Sequence, residues 1–309
     1  MLTIFSIPKP FDGPISVIQR NAIQSWQKLG PDIEVLLFGD EVGVAETAHE
    51  FNTHHIPDIQ KNEFGTPLLS SAFKMAEQIS SKDLLCFVNA DIVLLSSFFR
   101  AIQKVNYPRF LMIGQRWNLD ITDPIEFSDN QWERSFIEFI KEKGTLQPPF
   151  GSDYFIFPKA MDWNMPDFAV GRPGWDNWMI YQARLHQVPV IDATTAGTVV
   201  HQNHNYAHIP NGQNKATFEG PEAQINRSLM VENSHSFGVD DSTLFISEKG
   251  VVKASEYKYL RHRVPHQHDL NPTAGEITKY SWRIMQSIIY RKRLFPNRLM
   301  ESMIYSLTK

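Results

Sequence analysis

The chain predicts an α/β fold, a mostly parallel sheet flanked by helices, on three observations. Short apolar runs alternate with helical periodicity over the first 113 residues, the connections between them are short, and one run, Leu84–Val88, is apolar at every position. Alternating strands and helices with short links build parallel sheets, and a strand without polar alternation is one buried on both faces. At 309 residues, 42% hydrophobic and 21% charged, the chain is long enough for a sizeable core and ordinary for a globular protein.

In order, Leu2–Ile7 reads as the first strand, closed by Pro8 and the loop Lys9-Pro10-Phe11-Asp12-Gly13-Pro14. A helix follows with Ile18, Ala22, Trp26 and Leu29 at helical spacing, and Gly30-Pro31 stops it. Ile33–Phe38 is a second strand, Val44–Phe51 a short helix, and His55-Ile56-Pro57 a loop or short strand. Asn62–Pro67 leads into a helix over Leu68–Ile79, then the strand Leu84–Val88, a helix near Ser97–Val105 and a strand at Phe110–Ile113. Gly114–Asp120 is polar. Beyond Gly151, a strand at Tyr154–Phe157, a Gly/Pro loop, a helix over Trp178–His186, a strand at Val188–Asp192 and the apolar Thr198–Val200 before His201 follow. Thr243–Val252 reads as a hairpin. The expected division is 1–235 (halves 1–113 and 114–235) and 236–309, the hairpin plus basic amphipathic helices.

The single cysteine, Cys86, excludes an intrachain disulfide and fits the cytoplasm. No apolar run is long enough to span a membrane, and the first ten residues lack the basic and apolar regions of a signal peptide. Residues 251–309 hold eleven Lys and Arg against four Asp and Glu in a chain of net charge −4. Ile277, Tyr280, Ile284 and Ile288 share a face there. Such a tail can lie on an anionic membrane surface, which gives a peripheral location; packing on the body competes with that role. Nucleic acid is not an expected partner.

The chemistry gathers where strands end. Asp91 breaks an apolar stretch, and a carboxylate there needs a partner: a divalent cation, Mn2+ or Mg2+, or the start of the helix after Leu95 that it could cap. His201, His204 and a carboxylate could also hold zinc, although no His-Glu-x-x-His motif is present. Asp176 follows Gly174-Trp175 just before a helix, where it can be an N-cap, a general base, or both. Asp40 competes between turn and ligand, and Arg116 between phosphate clamp and surface ion pair.

With Ile4–Pro10, Gly39-Asp40, Asn89-Ala90-Asp91, Gly151-Ser152-Asp153, Trp175-Asp176 and His201 in this order, the chain resembles nucleotide-sugar glycosyltransferases of the GT-A fold, and among them bacterial surface-polysaccharide glycosyltransferase-like proteins. The resemblance covers about residues 1–230 and rests on the ordered set. It implies a Rossmann-like, GT-A-like sheet and a nucleotide-sugar donor, with a UDP-sugar favoured. It also implies a glycan or lipid-linked acceptor and transfer with inversion. Asp91 and His201 take the metal positions, Asn89 standing where the family's Asp-x-Asp motif has its first Asp; Asp176 takes that of the base. Ile7, Pro8, Lys9, Asp40, Asn62, Glu63, Asn89, Arg116, Gly151, Ser152, Asp153 and His204 are the expected donor site, and Trp117, Trp175 and Trp178 the acceptor site. A sugar-phosphate nucleotidyltransferase, a non-enzymatic carbohydrate-binding protein and a zinc hydrolase are the rivals. The first would want glycines in the loop after strand one, where Ser6–Pro10 has none.

Overall fold

The computed structural model describes residues 1–204, 218–231 and 234–271. The expected tail helices, beyond residue 275, lie outside that range. Among the described residues thirteen strands form two sheets. The main one runs β13-β12-β10-β6-β9-β4-β1-β2-β3. Its strands are β1 (Leu2–Ser6), β2 (Ile33–Phe38), β3 (His54–Ile56), β4 (Leu84–Val88), β6 (Leu111–Ile113), β9 (Tyr154–Pro158), β10 (Val190–Asp192), β12 (Leu244–Ser247) and β13 (Gly250–Lys253). Most neighbours are parallel; β9 runs against both β4 and β6, and β13 folds back on β12.

Among the described residues the helices are α1 (Gly13–Gln27), α2 (Val44–Glu50), α3 (Leu69–Ile79), α4 (Ser96–Gln103), α5 (Trp132–Lys143), α6 (Trp175–Leu185), α7 (Pro221–Leu229) and α8 (Tyr257–Leu270). Strand β4 shows why the sheet is covered on both faces. Leu85 and Phe87 enter one core with Phe5, Phe73, Phe157 and Trp175, while Cys86 and Val88 enter another with Ile4, Trp26 and Tyr154. A strand's side chains alternate, so an all-apolar run feeds two cores. The first core is aromatic: Phe73 stacks on Phe157 at 5.6 Å, and Trp175 meets Phe87 edge-on at 5.0 Å. Trp175 thereby fixes the start of α6 to the sheet.

The second sheet runs β5-β11-β7-β8, from β5 (Ile92–Leu94), β7 (Trp117–Leu119), β8 (Thr145–Leu146) and β11 (Val199–Gln202). It packs Val93, Leu119 and Val200 against Phe136 and Ile140 of α5.

Several boundaries differ from expectation. Helix α6 starts at Trp175 rather than Trp178, because Gly174, at φ 109°, takes the left-handed cap that turns the chain into the helix. The polar stretch 114–120 contains β7, and α5, α7 and α8 are helices the residue pattern did not announce. The C-terminal hairpin joins the main sheet, β12 pairing in parallel with β10. Among the described residues no helix is long and apolar enough to cross a membrane.

Candidate active site

A cleft of about 680 Å³ opens where β1 and β4 end and β9 begins. Carboxyl ends of parallel strands are where ligands bind in open α/β sheets. Ile7, Pro8 and Lys9 after β1, Asn89 and Asp91 after β4, and Gly151, Ser152 and Asp153 before β9 all line it.

Asp91 is held rigidly from behind. Its main-chain carbonyl accepts from the Gln202 amide nitrogen at 3.2 Å and from Gln202 Nε2 at 3.1 Å, and Gln202 Nε2 also donates to Ile18 at 2.8 Å. Trp26 Nε1 donates to the carbonyl of Ile92 at 2.8 Å. Strand β11 and the residues just after it then bring two imidazoles to the carboxylate: Asp91 Oδ2 lies 3.5 Å from His201 Nε2 and 3.1 Å from His204 Nε2. His201 Nδ1 lies 3.4 Å from Asn203 Oδ1, which leaves Nε2 facing the carboxylate. Burial alone would raise the Asp91 carboxyl, but the two histidines and the Lys9 ammonium outweigh it and hold it well below the usual carboxylate range. Asp91 Oδ1 is buried and accepts no hydrogen bond among the described residues. The three side chains offer ligand atoms within 4.8 Å of one another, a set able to hold a divalent metal ion. The capping role is not realised: Asp91 faces the histidines, and Leu95 is the N-cap of α4.

Asp176 stands in the first turn of α6 and lines the same cleft. Burial pushes its carboxyl up to about 6; the Asn177 backbone amide opposes the rise and the Asp153 carboxylate adds to it. The main chain of Gly151 lies directly over the Asp176 carboxylate, so closely that a Cβ there would collide with Oδ2. Gly151→Ala is therefore expected to displace this carboxylate with an unchanged far-UV spectrum; a crystal structure of the variant beside circular dichroism checks it.

Asp153 accepts from Asn89 Nδ2 at 2.8 Å and pairs with Arg116 Nη1. Asn89 is thus turned toward Asp153, and Arg116 lines the cleft with its charge partly matched. Ser152 Oγ lies within hydrogen-bonding distance of the carbonyl oxygens of Gly114 and Tyr154, at 3.0 and 2.9 Å, and ties the cleft to β6 and β9. The Gln19 side chain holds both main-chain groups of Lys9, at 2.7 and 2.8 Å. Burial pushes the Lys9 ammonium down; Asp91 counters this and Arg172 adds to it.

Other expected site residues lie elsewhere. Asp40 is exposed and paired with Lys61 at 2.5 Å; it does not line the cleft, although its neighbour Glu41 does. Asn62 accepts from the amides of Phe64 and Thr66 and donates to Glu222 at 2.8 Å, so it builds a turn rather than a helix start, and Glu63 is exposed on that turn. Gly65, Thr66 and Pro67 supply that wall instead. Trp178 is only 4% exposed and packs edge-on against Phe168, and Trp117 lies in β7 against the third core; neither lines the cleft. Trp175 touches the cleft from within the aromatic core. The residue pattern missed Arg172, Phe150 and Phe218. Arg172 reaches the cleft while held by Glu222 of α7, and Phe150 stands 70% exposed at the rim.

No protein-family model and no curated protein matches the chain. Among solved structures it is similar to glucosyl-3-phosphoglycerate synthase from Mycobacterium tuberculosis in complex with Mg2+ and uridine diphosphate, with a TM-score of 0.43 and 12% identity over 75% of this chain and 81% of that one. It is also similar to residues 1–349 of TarS from S. aureus in complex with UDP-GlcNAc, at 0.41 and 11% over 78% and 70%. A mycobacterial protein scores 0.44 at 12% identity over 75% and 76%.

Proposed function

We propose that the cleft transfers a sugar, with inversion, from a nucleoside-diphosphate donor to the hydroxyl of a glycan or lipid-linked glycan. The observation that carries this reading is the pairing of two unlike carboxyl groups in one cleft. Asp91 is kept ionised beside two imidazoles with an oxygen left over; Asp176 is held near 6, where a carboxylate can both exist and accept a proton close to neutral pH.

In this reading Asp91, His201 and His204 would hold a divalent cation, Mn2+ or Mg2+, which when bound neutralises charge on a diphosphate. Lys9, Arg116 and Arg172 supply the remaining positive charge around it. Asp153, fixed by Asn89 and Arg116, is placed to accept hydrogen bonds from donor-sugar hydroxyls. Asp176 takes the acceptor's hydroxyl proton as the new bond forms at the anomeric carbon and the bond to the diphosphate breaks. Phe150 and Phe218, exposed at the mouth, offer ring faces on which an acceptor sugar can stack.

A panel of nucleotide sugars, incubated with the full chain, Mn2+ and pooled glycan acceptors, tests this. Acceptor-dependent release of a nucleoside diphosphate from at least one donor, lost on chelation, is expected. Release that does not need an acceptor would instead mark a metal-dependent hydrolase, and no release from any donor would remove the transferase reading.

A further inference from the structure

A second convergence of ligating side chains lies outside the cleft, where α8 crosses the short 3-10 turn Val239–Asp241. Asp241 is wholly buried there. His262 and His266 sit one helical turn apart on α8, so their rings share a face. His266 Nδ1 lies 2.7 Å from Asp241 Oδ1, and His262 Nε2 lies 3.7 Å from Asp240 Oδ2. One ligand atom from each of Asp241, His262 and His266 falls within 4.8 Å of the other two. The second oxygen of Asp241 accepts from the Gly238 amide at 2.9 Å, the kind of outer hydrogen bond that orients a ligating carboxylate.

Charge supports a cation at this point. Asp192, Asp240 and Asp241 are all buried; among the described residues Lys258 lies 3.7 Å from Asp192, and the Arg184 guanidinium donates to the main-chain carbonyl of Asp241. Helix closure by the His266–Asp241 hydrogen bond accounts for one imidazole; it gives no reason for a second ring on the same face beside a second carboxylate.

We propose that Asp241, His262 and His266 bind one divalent transition-metal ion, Zn2+ by preference, which pins α8 to the rim of the cleft. Two imidazole nitrogens and a carboxylate oxygen form a borderline set that suits zinc, and two histidines four apart on a helix present their nitrogens together. The turn that carries Asp241 is continuous with the cleft. The Val239 amide donates to the Pro149 carbonyl at 2.9 Å, and Asn177 Nδ2 donates to the carbonyls of Phe150 and Phe237 at 2.7 and 2.6 Å. An ion here would steady the segment bearing Phe150 and the helix bearing Asp176 without touching a substrate.

The test uses the full chain carrying Asp91→Asn, which disables the cleft's own metal set, stripped with a chelator and titrated with Zn2+. Uptake of one equivalent with a rise in Tm is expected. His262→Gln in the same background should lose both, and His262→Cys, which substitutes a thiolate ligand, should restore them. His262 is partly exposed, so these changes do not empty the core. If His262→Gln does not fold, the Co2+ spectrum of the Asp91→Asn chain decides: intense tetrahedral bands support the site, and the weak spectrum of a hydrated ion overturns it. Absence of Zn2+ uptake, or uptake that His262→Gln leaves unchanged, also overturns it.

Discussion

Asp176→Asn is expected to lower turnover by about 10²–10⁴-fold while leaving nucleoside-diphosphate affinity within about twofold. The amide keeps the shape of the side chain and loses the proton acceptor. The same change should stabilise the fold at neutral pH. The folded protein holds the Asp176 proton up to about 6, whereas the unfolded chain releases it near an ordinary carboxylate pKa. Between those values the native state binds more protons, so stability falls as pH rises through that window, and above it the cost of burying the charge is complete. That cost is at most about 3 kcal/mol, and less where water reaches the group. A thermal melt of both proteins checks it: the variant should melt higher than wild type at pH 7.5 and together with it at pH 4. The acid limb of kcat/KM for the wild type should fall near pH 6 for the same reason. A variant that still turns over at the wild-type rate would move the base to another residue, with Asp153 next in line.

Asp91→Asn should have the second large effect. Its carboxylate is the anion of the set with His201 and His204, and one of its oxygens is left with no partner among the described residues. Replacing it with a neutral amide is expected to weaken Mn2+ binding in the cleft by about 100-fold or more, roughly 2.7 kcal/mol. The fold should survive, because the main chain of Asp91 stays anchored by Gln202 whatever its side chain. Manganese titration followed by electron paramagnetic resonance separates this loss from unfolding, which far-UV circular dichroism would report. Unchanged Mn2+ affinity would place the cation elsewhere.

The sequence made the centre of this site legible and its edges much less so. Leu84–Val88 could be read as a strand buried on both faces because no polar residue interrupts it, and the carboxylate after it had to find a partner. His201 and His204 were visible at the end of an apolar run, though only the pairing of β11 with β5 shows that both reach Asp91. Trp178 illustrates the opposite case. Three residues beyond Trp175 on the same helix, it follows that residue into the core rather than toward the cleft, a choice that helical spacing favours but composition hides. Asp40 stood open between turn and ligand, and it forms a surface pair with Lys61; Asn62 makes a turn that its position ahead of a helix did not announce. Arg172 and Glu222 meet across fifty residues, and no local pattern announces such a pair. Helix α5 escaped notice because only Phe136 and Ile140 among its residues are buried, too sparse a stripe to set a period.

Titrating UDP into the full-length protein by calorimetry, with and without Mn2+, tests most directly whether Asp91, His201 and His204 hold the cation for a diphosphate. Saturable one-to-one binding in Mn2+, weakened by about tenfold or more after chelation and equally in Asp91→Asn, is the predicted result. Affinity that ignores both the metal and the substitution, or no saturable binding at all, would contradict it.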